Sequence, residues 1–314
     1  MSHPTLSIPR LSHAVSRRCA QRCFFLRPSK KTNQLFGFCL GVMLQKHPTV
    51  RLTCFAVLSN HVHYVVSDDE GDLSSFFRDL NGLLARSMNC CLGRGESFWA
   101  PGGPRPVGIF DEEALWEQLV YATVNPTKDG LVRTPEEWPG LLSLPEDVGT
   151  RTFRFERPSK FFRSEGEGSL PEVVEFQLEQ PVELEAMDPE AFRHEYRRRL
   201  DAKVAEVQRT FAEAGRGFMG PQLVRDQNPY EAAGDTFPDR DDTPTVACKD
   251  RRLHQAVLRW ISEFRLAYRM AWVLWASGLR ETLFPFGTYW MRVKYGVRCR
   301  DPVQCLPVAH AAAA

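Results

Sequence analysis

Apolar positions along the chain recur in two different periods, and the switches between them mark out its elements. In "TNQLFGFCLGVMLQKH", Leu35, Phe38, Cys39 and Met43 are three and four apart, which puts them on one face of a helix. "VRLTCFAVLSNHVHYVVS" is instead a dense apolar run through Phe55, Val57, Val62, Val65 and Val66, and it reads as one or two buried strands. Helical spacing returns in "LSSFFRDLNGLLARSMNCCL", through Leu73, Phe76, Phe77, Leu80, Leu83, Leu84 and Met88, and Gly93 ends it. A loop with Trp99 and several Pro and Gly leads to "VGIFD". A third helix, "EEALWEQLVYATVN", follows, with Asp111 as its N-cap and Pro126 as its stop. Ahead of all these, "CAQRCFFLRP" is the first strand candidate. The order strand–helix–strand–strand–helix predicts an α+β fold, a small antiparallel sheet with helices packed on one face.

The pattern changes after residue 150. "SEGEGSLPEVVEFQLEQPVELEAMDPE" is acidic and broken by proline, with one alternating strand, Val174–Phe176–Leu178. "PEAFRHEYRRRLDAKVAEVQRTFAEAG" is a strongly charged helix stopped by Gly215, and "RDQNPYEAAGDTFPDRDDTPT" has too few apolar residues to be more than a linker. A further helix, "DRRLHQAVLRWISEFRLAYRMAWVLWASG", sets an aromatic and aliphatic face against arginines, before the tail "LFPFGTYWMRVKYGVRC" and a frayed "VAHAAAA". Three units are expected: a core at 14–150, an acidic, partly irregular extension at 151–245, and a basic, aromatic-rich, mainly helical segment at 246–305.

With 314 residues, 43% hydrophobic and 25% charged, the composition is that of an ordinary globular protein. No apolar run is long enough to span a bilayer, and the N-terminal stretch lacks a secretory layout, so no membrane partner and a cytoplasmic location are expected. The nine cysteines are odd in number and contain no CxxC, which argues against a disulfide framework or zinc ribbon. Most should be buried thiols. The formal net charge is +1, but its distribution is uneven: residues 251–300 hold ten Lys or Arg and two acids. Arginine interleaved with Trp260, Tyr268, Trp272 and Trp275 suits nucleic acid, and equally suits an amphipathic helix with a solvated basic face.

The apolar run at 53–69 contains His61 and His63. On a strand, residues two apart share a face and lie about 6.5–7 Å apart at Cα, so two imidazoles can converge on one cation. Val62 and Tyr64 then face the other way. Two half-buried histidines with satisfied hydrogen bonds would explain the pair as well. A metal would need further ligands. On the helix after Asp111, Tyr121 and Asn125 are four apart and share a face. Asn125 can offer a carbonyl oxygen to a hard cation, and Tyr121 a phenol, though a packing aromatic and a helix-end asparagine fit the same letters.

Together, "LSNHVHYVV" and, some sixty residues later, "YATVNPTKDGLV" resemble the single-tyrosine transposases of the HUH endonuclease superfamily, in particular the REP-associated tyrosine transposases. "LSSFFRDLNGLLARSMN", "SFW" at 97–99 and "EEWPG" at 136–140 are similar to the same group, and the likeness covers roughly residues 14–142. It implies an antiparallel sheet of four or five strands with helices behind it, of the ferredoxin or RRM type. It also implies a divalent metal, Mg²⁺ or Mn²⁺, on His61, His63 and Asn125. Tyr121 would attack a phosphodiester of single-stranded DNA carrying hairpin or palindromic elements, leaving a 5′-phosphotyrosine and a 3′-OH. Arg17, Arg18, Arg22 and Arg27, around the first strand, are candidates for nucleic-acid contact. Members of the group include dimers that share active sites and monomers that do not, so a homodimer is one of the states allowed. "NPTKDGLV" departs from the group's usual Val-x-Ala at Thr127, Lys128 and Asp129, past the chemistry.

Two rivals remain at this level. One keeps the fold without catalysis, as a domesticated hairpin-DNA-binding protein. The other is a zinc hydrolase using the HxH, which would need another His, Asp or Glu ligand; Asp68 and Asp69 follow the motif but belong to a turn.

Overall fold

A computed structural model describes residues 6–104, 106–159, 161–163, 165–166, 168–234 and 245–301. The tail "VAHAAAA", Cys305 and residues 235–244 of the 225–245 linker lie outside the described residues. No helix among those described is long and apolar enough to cross a membrane.

The first strand, β1 (His13–Arg18), ends where the sequence pattern places its start. "CAQR" forms a tight turn instead, with Gln21 and Arg22 at positive φ (54° and 59°). The signal was weak because β1 alternates with small and charged residues, HAVSRR, of which only His13 and Val15 are fully buried. Helix α1 (Lys30–Lys46) starts at Ser29, whose hydroxyl accepts from the Thr32 N–H. Strands β2 (Val50–Val57) and β3 (His61–Asp68) form a hairpin out of the one apolar run. Helix α2 (Leu73–Leu92) stops at Gly93 in the left-handed conformation (φ 66°), as its glycine signalled. After β4 (Val107–Ile109), α3 (Glu112–Lys128) is capped by Asp111, whose carboxylate accepts from the Ala114 N–H.

Pro126 does not stop α3. It sits inside the last turn, and the Asp129 N–H still reaches the Asn125 carbonyl at 2.9 Å, so the helix resumes its hydrogen bonding just past the ring. Proline removes one donor and crowds one carbonyl; within a turn of the helix end, tertiary packing absorbs that cost.

A hairpin of β5 (Thr152–Glu156) and β6 (Val173–Gln177) packs on α1, and α4 (Pro189–Glu213) packs on α3. Helix α5 (Pro221–Asp226) and strand β7 (Val246–Ala247) follow, then α6 (Arg251–Ala276) and the short α7 (Trp290–Tyr295). The main sheet runs β2-β3-β1-β4-β7 and is antiparallel except for its last pair, where β7 lies parallel to β4. Helices cover both faces of it, not one. Tyr64 points to α2, its ring 5.5 Å from Phe77, whereas His63 points to α3, its ring 5.4 Å from Tyr121. Neighbours on a strand face opposite ways, so α2 and α3 lie on opposite sides. One apolar core joins β1–β3, α1–α3, the β5–β6 hairpin and Phe192, Tyr196 and Leu200 of α4.

Helix α6 buries Val257, Ile261, Phe264, Tyr268 and Ala271, spaced alternately four and three, against Ile8, Leu11 and Phe110 and against Phe284, Met291 and Val297. Arg251, Arg252, Arg259 and Arg269 are exposed. The eight described cysteines are all free thiols, and four of them, Cys19, Cys23, Cys39 and Cys54, are buried.

Candidate active site

The two constellations meet. His61 opens β3, and His63 follows on the same face, their rings 4.9 Å apart and nearly perpendicular. Helix α3 crosses this face and brings Tyr121 to His63 edge to face. One turn later it brings Asn125, whose side-chain nitrogen lies 3.2 Å from His63 Nε2. Tyr121 is 39% exposed whereas Asn125 is 2% exposed, so the phenol faces solvent while the amide is fixed in packing.

The position of α3 is set by α4. Tyr196, fully buried, donates from its hydroxyl to the Leu119 carbonyl at 2.9 Å and shares a 2.7 Å hydrogen bond with the Thr123 hydroxyl. These anchors lie two residues to either side of Tyr121. Trp116 stacks on Phe192 at 5.2 Å.

Both imidazoles are held neutral. Burial lowers the His61 pKa first, then the Arg18 charge, partly offset by the Asn125 side chain; burial lowers His63 further, with the charges of His61, Lys128 and Arg18 acting the same way. A neutral imidazole is the form that binds metal. His61 Nδ1 lies 2.7 Å from Asn60 Oδ1, so Nδ1 carries the proton and Nε2 keeps its lone pair. Asn60 is itself tethered, donating to the Arg22 carbonyl at 3.2 Å.

The donor set fits a hard or borderline divalent cation. Among the described residues the buried Asn125 side-chain oxygen has no hydrogen-bond partner, an expensive state for an amide carbonyl. Turning that amide over would place the oxygen where its nitrogen now sits, 3.2 Å from His63 Nε2. Two donors at right angles on one ion, each about 2.1 Å away, are separated by about 3 Å. Among the described residues no group of three or more His, Cys, Asp or Glu is placed to hold a metal, so the third ligand a zinc hydrolase would require is not found there. Asp68 ends β3, at the opposite end of the strand from His61, and accepts from the Asp72 N–H; Asp69 pairs with Arg51 at 2.9 Å.

The four arginines separate. Arg18 pairs in register with His61 and shares its face, whereas Arg17 pairs with Val62 and points to the opposite face. The Arg22 carbonyl holds Asn60, and Arg27 donates to the Gln227 carbonyl at 3.0 Å, tying down the chain after α5. Two residues at the site were not singled out as functional in the sequence. Asn60 stood beside the histidines, and Lys128, seven residues after Tyr121 and therefore on its helix face, sets its ammonium 4.3 Å from the Tyr121 ring centre.

No family model and no curated protein matches this chain. Among solved structures, a REP-associated tyrosine transposase bound to a REP hairpin is similar at 17% identity and a TM-score of 0.40, over 47% of this chain and 84% of that one.

Proposed function

We propose that the protein is a metal-dependent nicking and joining enzyme for single-stranded DNA, with Tyr121 as nucleophile and His61, His63 and Asn125 as metal ligands. The observation that carries this reading is the buried, unpartnered Asn125 oxygen beside two neutral imidazoles, one turn of helix from an exposed tyrosine. A buried amide oxygen calls for a partner, and a cation held with the two imidazoles would supply one. The motif resemblance to REP-associated tyrosine transposases supplies the substrate class, single strands with hairpin or palindromic elements.

A bound Mg²⁺ or Mn²⁺ would polarise the scissile phosphate and offset the charge that gathers on it. The protein's own groups do the rest. Asn60 fixes the His61 tautomer, so His61 Nε2 is unprotonated and keeps its lone pair for a metal. Tyr196 pins α3 on both sides of Tyr121, so the phenol needs little reorganisation to reach a phosphorus held against β3. Lys128 and Arg18 add positive charge where phosphate oxygens would collect. The tyrosine oxygen bonds to phosphorus, the P–O3′ bond breaks, and the 3′-oxygen takes up a proton. The phosphotyrosine conserves the energy of the broken bond, and attack on it by a 3′-OH rejoins the strand.

The test is the chemistry of the ends. Incubation of a hairpin oligonucleotide with the protein and Mn²⁺ should give a fragment whose 3′ end a polymerase extends, and EDTA should abolish it. A fragment carrying a 3′-phosphate would refute this mechanism.

A further inference from the structure

Arg17 is the residue that the site above does not use. It leaves β1 on the face opposite the histidines and enters a cavity of about 430 Å³ between the end of α2 and the segment 96–102. Arg86 and Asn89 of α2 line the same cavity, and Trp99 forms part of its wall. The walls are fixed: the Trp99 indole donates to the Asn81 carbonyl at 3.0 Å, and the Ala20 and Ala100 N–H groups each close a 2.9 Å hydrogen bond between this segment and the end of β1.

The polar groups here are under-used. Arg17 is half-buried; among the described residues its Nε is enclosed without a hydrogen-bond partner, and its guanidinium lies 6.0 Å from the Trp99 ring centre. Among the described residues, Arg86 has neither an ion-pair nor a hydrogen-bond partner. The acid at the rim, Glu96, is 84% exposed and turned towards Arg94. On Asn89 the amide nitrogen donates to the Glu96 carbonyl at 2.6 Å, but the oxygen is enclosed and has no partner among the described residues. A half-buried guanidinium without a carboxylate is costly unless an anion completes it. Desolvation also lowers the Arg17 pKa, which agrees with a missing counter-charge. The cavity is larger than a bare phosphate needs and falls in the range of about 300–1,000 Å³ typical of small-molecule sites.

We infer that this cavity receives one unpaired nucleotide, its phosphate between Arg17 and Arg86 and its base in the space beside Asn89. The inference rests on the reading above for its context, a single strand that passes the metal site. Arg17 and Arg18 are consecutive and face opposite ways, so a strand rounding this end of the sheet would meet Arg18 beside the histidines and Arg17 in the cavity. The cavity would then act as an anchor that sets which phosphate reaches Tyr121.

The experiment compares Arg17→Gln and Arg86→Gln with the unsubstituted protein. Binding of a hairpin with an unpaired flank and of the same hairpin without it is followed by fluorescence anisotropy. Saturation-transfer NMR with deoxynucleoside 5′-monophosphates, and with inorganic phosphate as competitor, reads the cavity alone. Each variant should lose about tenfold in affinity for the flanked hairpin and little for the bare one, with a log–log salt slope shallower by about 0.7. Mononucleotide signal should fall in both variants. Arg86 is exposed, so its substitution leaves folding intact even if that of Arg17 does not. Arg17-dependent mononucleotide binding without any oligonucleotide binding would keep the pocket and sink the DNA reading. Variants that bind every probe as the unsubstituted protein does, or phosphate that displaces mononucleotide at equal concentration, would overturn the inference.

Discussion

The Asn125 side-chain nitrogen lies 3.2 Å from His63 Nε2, across the gap between α3 and β3. That contact joins a residue of the helix that carries the tyrosine to a residue of the strand that carries the histidines, 62 positions apart. Among the described residues, the oxygen of the same amide has no hydrogen-bond partner.

Asn125→Ala should therefore act on metal before it acts on fold. Mn²⁺ affinity, followed by electron paramagnetic resonance, is expected to fall at least roughly tenfold, the scale on which losing one oriented group near a metal is felt. Thermal stability should fall only modestly, by about 1–2 kcal/mol, since the hydrogen bond to His63 is lost while an unpaired buried oxygen is also removed. Unchanged Mn²⁺ affinity would take Asn125 out of the ligand set.

Tyr196→Phe tests whether α4 positions the site. The substitution keeps the ring and removes the hydroxyl that binds Leu119 O and Thr123 Oγ1. A loss of about 1–2 kcal/mol in unfolding free energy is expected. If the brace matters to Tyr121, the cleavage rate constant should fall while hairpin affinity holds; equal falls in both would point to a general loosening.

The β5–β6 hairpin is seated on α1 through two glycines. A Cβ on Gly37 would come within 2.2 Å of the Phe155 ring, and one on Gly41 within 2.6 Å of Val174. Gly37→Ala should cost about 1–3 kcal/mol in denaturant unfolding, as overpacking does. A neutral result would mean that the hairpin does not rest there in solution.

Acid should weaken the fold through His13. Its ring is buried and bonded to the Leu11 carbonyl at 2.8 Å, and burial lowers its pKa to about 4. The folded form stays neutral while the unfolded form takes up a proton below about 6.5, so the contribution is full above that pH and is lost as pH falls towards 4. The loss reaches about 3 kcal/mol at the acid end. His61 and His63 shift in the same direction, so the comparison to make is the pH dependence of stability in His13→Leu, which should be shallower between pH 6.5 and 4.

Much of this was legible in the letters because strong local signals coincided with it. Asp111, Gly93 and the four-residue step from Tyr121 to Asn125 each act within one helix, and each was found where expected. What periodicity does not encode is which face an element takes, so α3 opposite α2 emerged only from Tyr64 and His63 pointing apart. Strand β1 escaped notice because its outward positions are Ala, Ser and Arg, and its pairing with β3 is long-range. Pro126 misled because a local rule was overridden by burial of the last turn of α3. Asn60 and Lys128 act on other functional groups, and nothing in a single sequence distinguishes such residues from their surroundings.

The most direct measurement is a denaturing gel of a labelled hairpin oligonucleotide incubated with the protein and Mn²⁺. Tyr121 is exposed and touches no core partner whose loss would unfold the chain, so Tyr121→Phe keeps the structure and removes the nucleophile. The expected result is a protein-linked band that resists boiling in detergent, absent with Tyr121→Phe although that variant still shifts the hairpin on a native gel. An undiminished band in Tyr121→Phe would contradict the account.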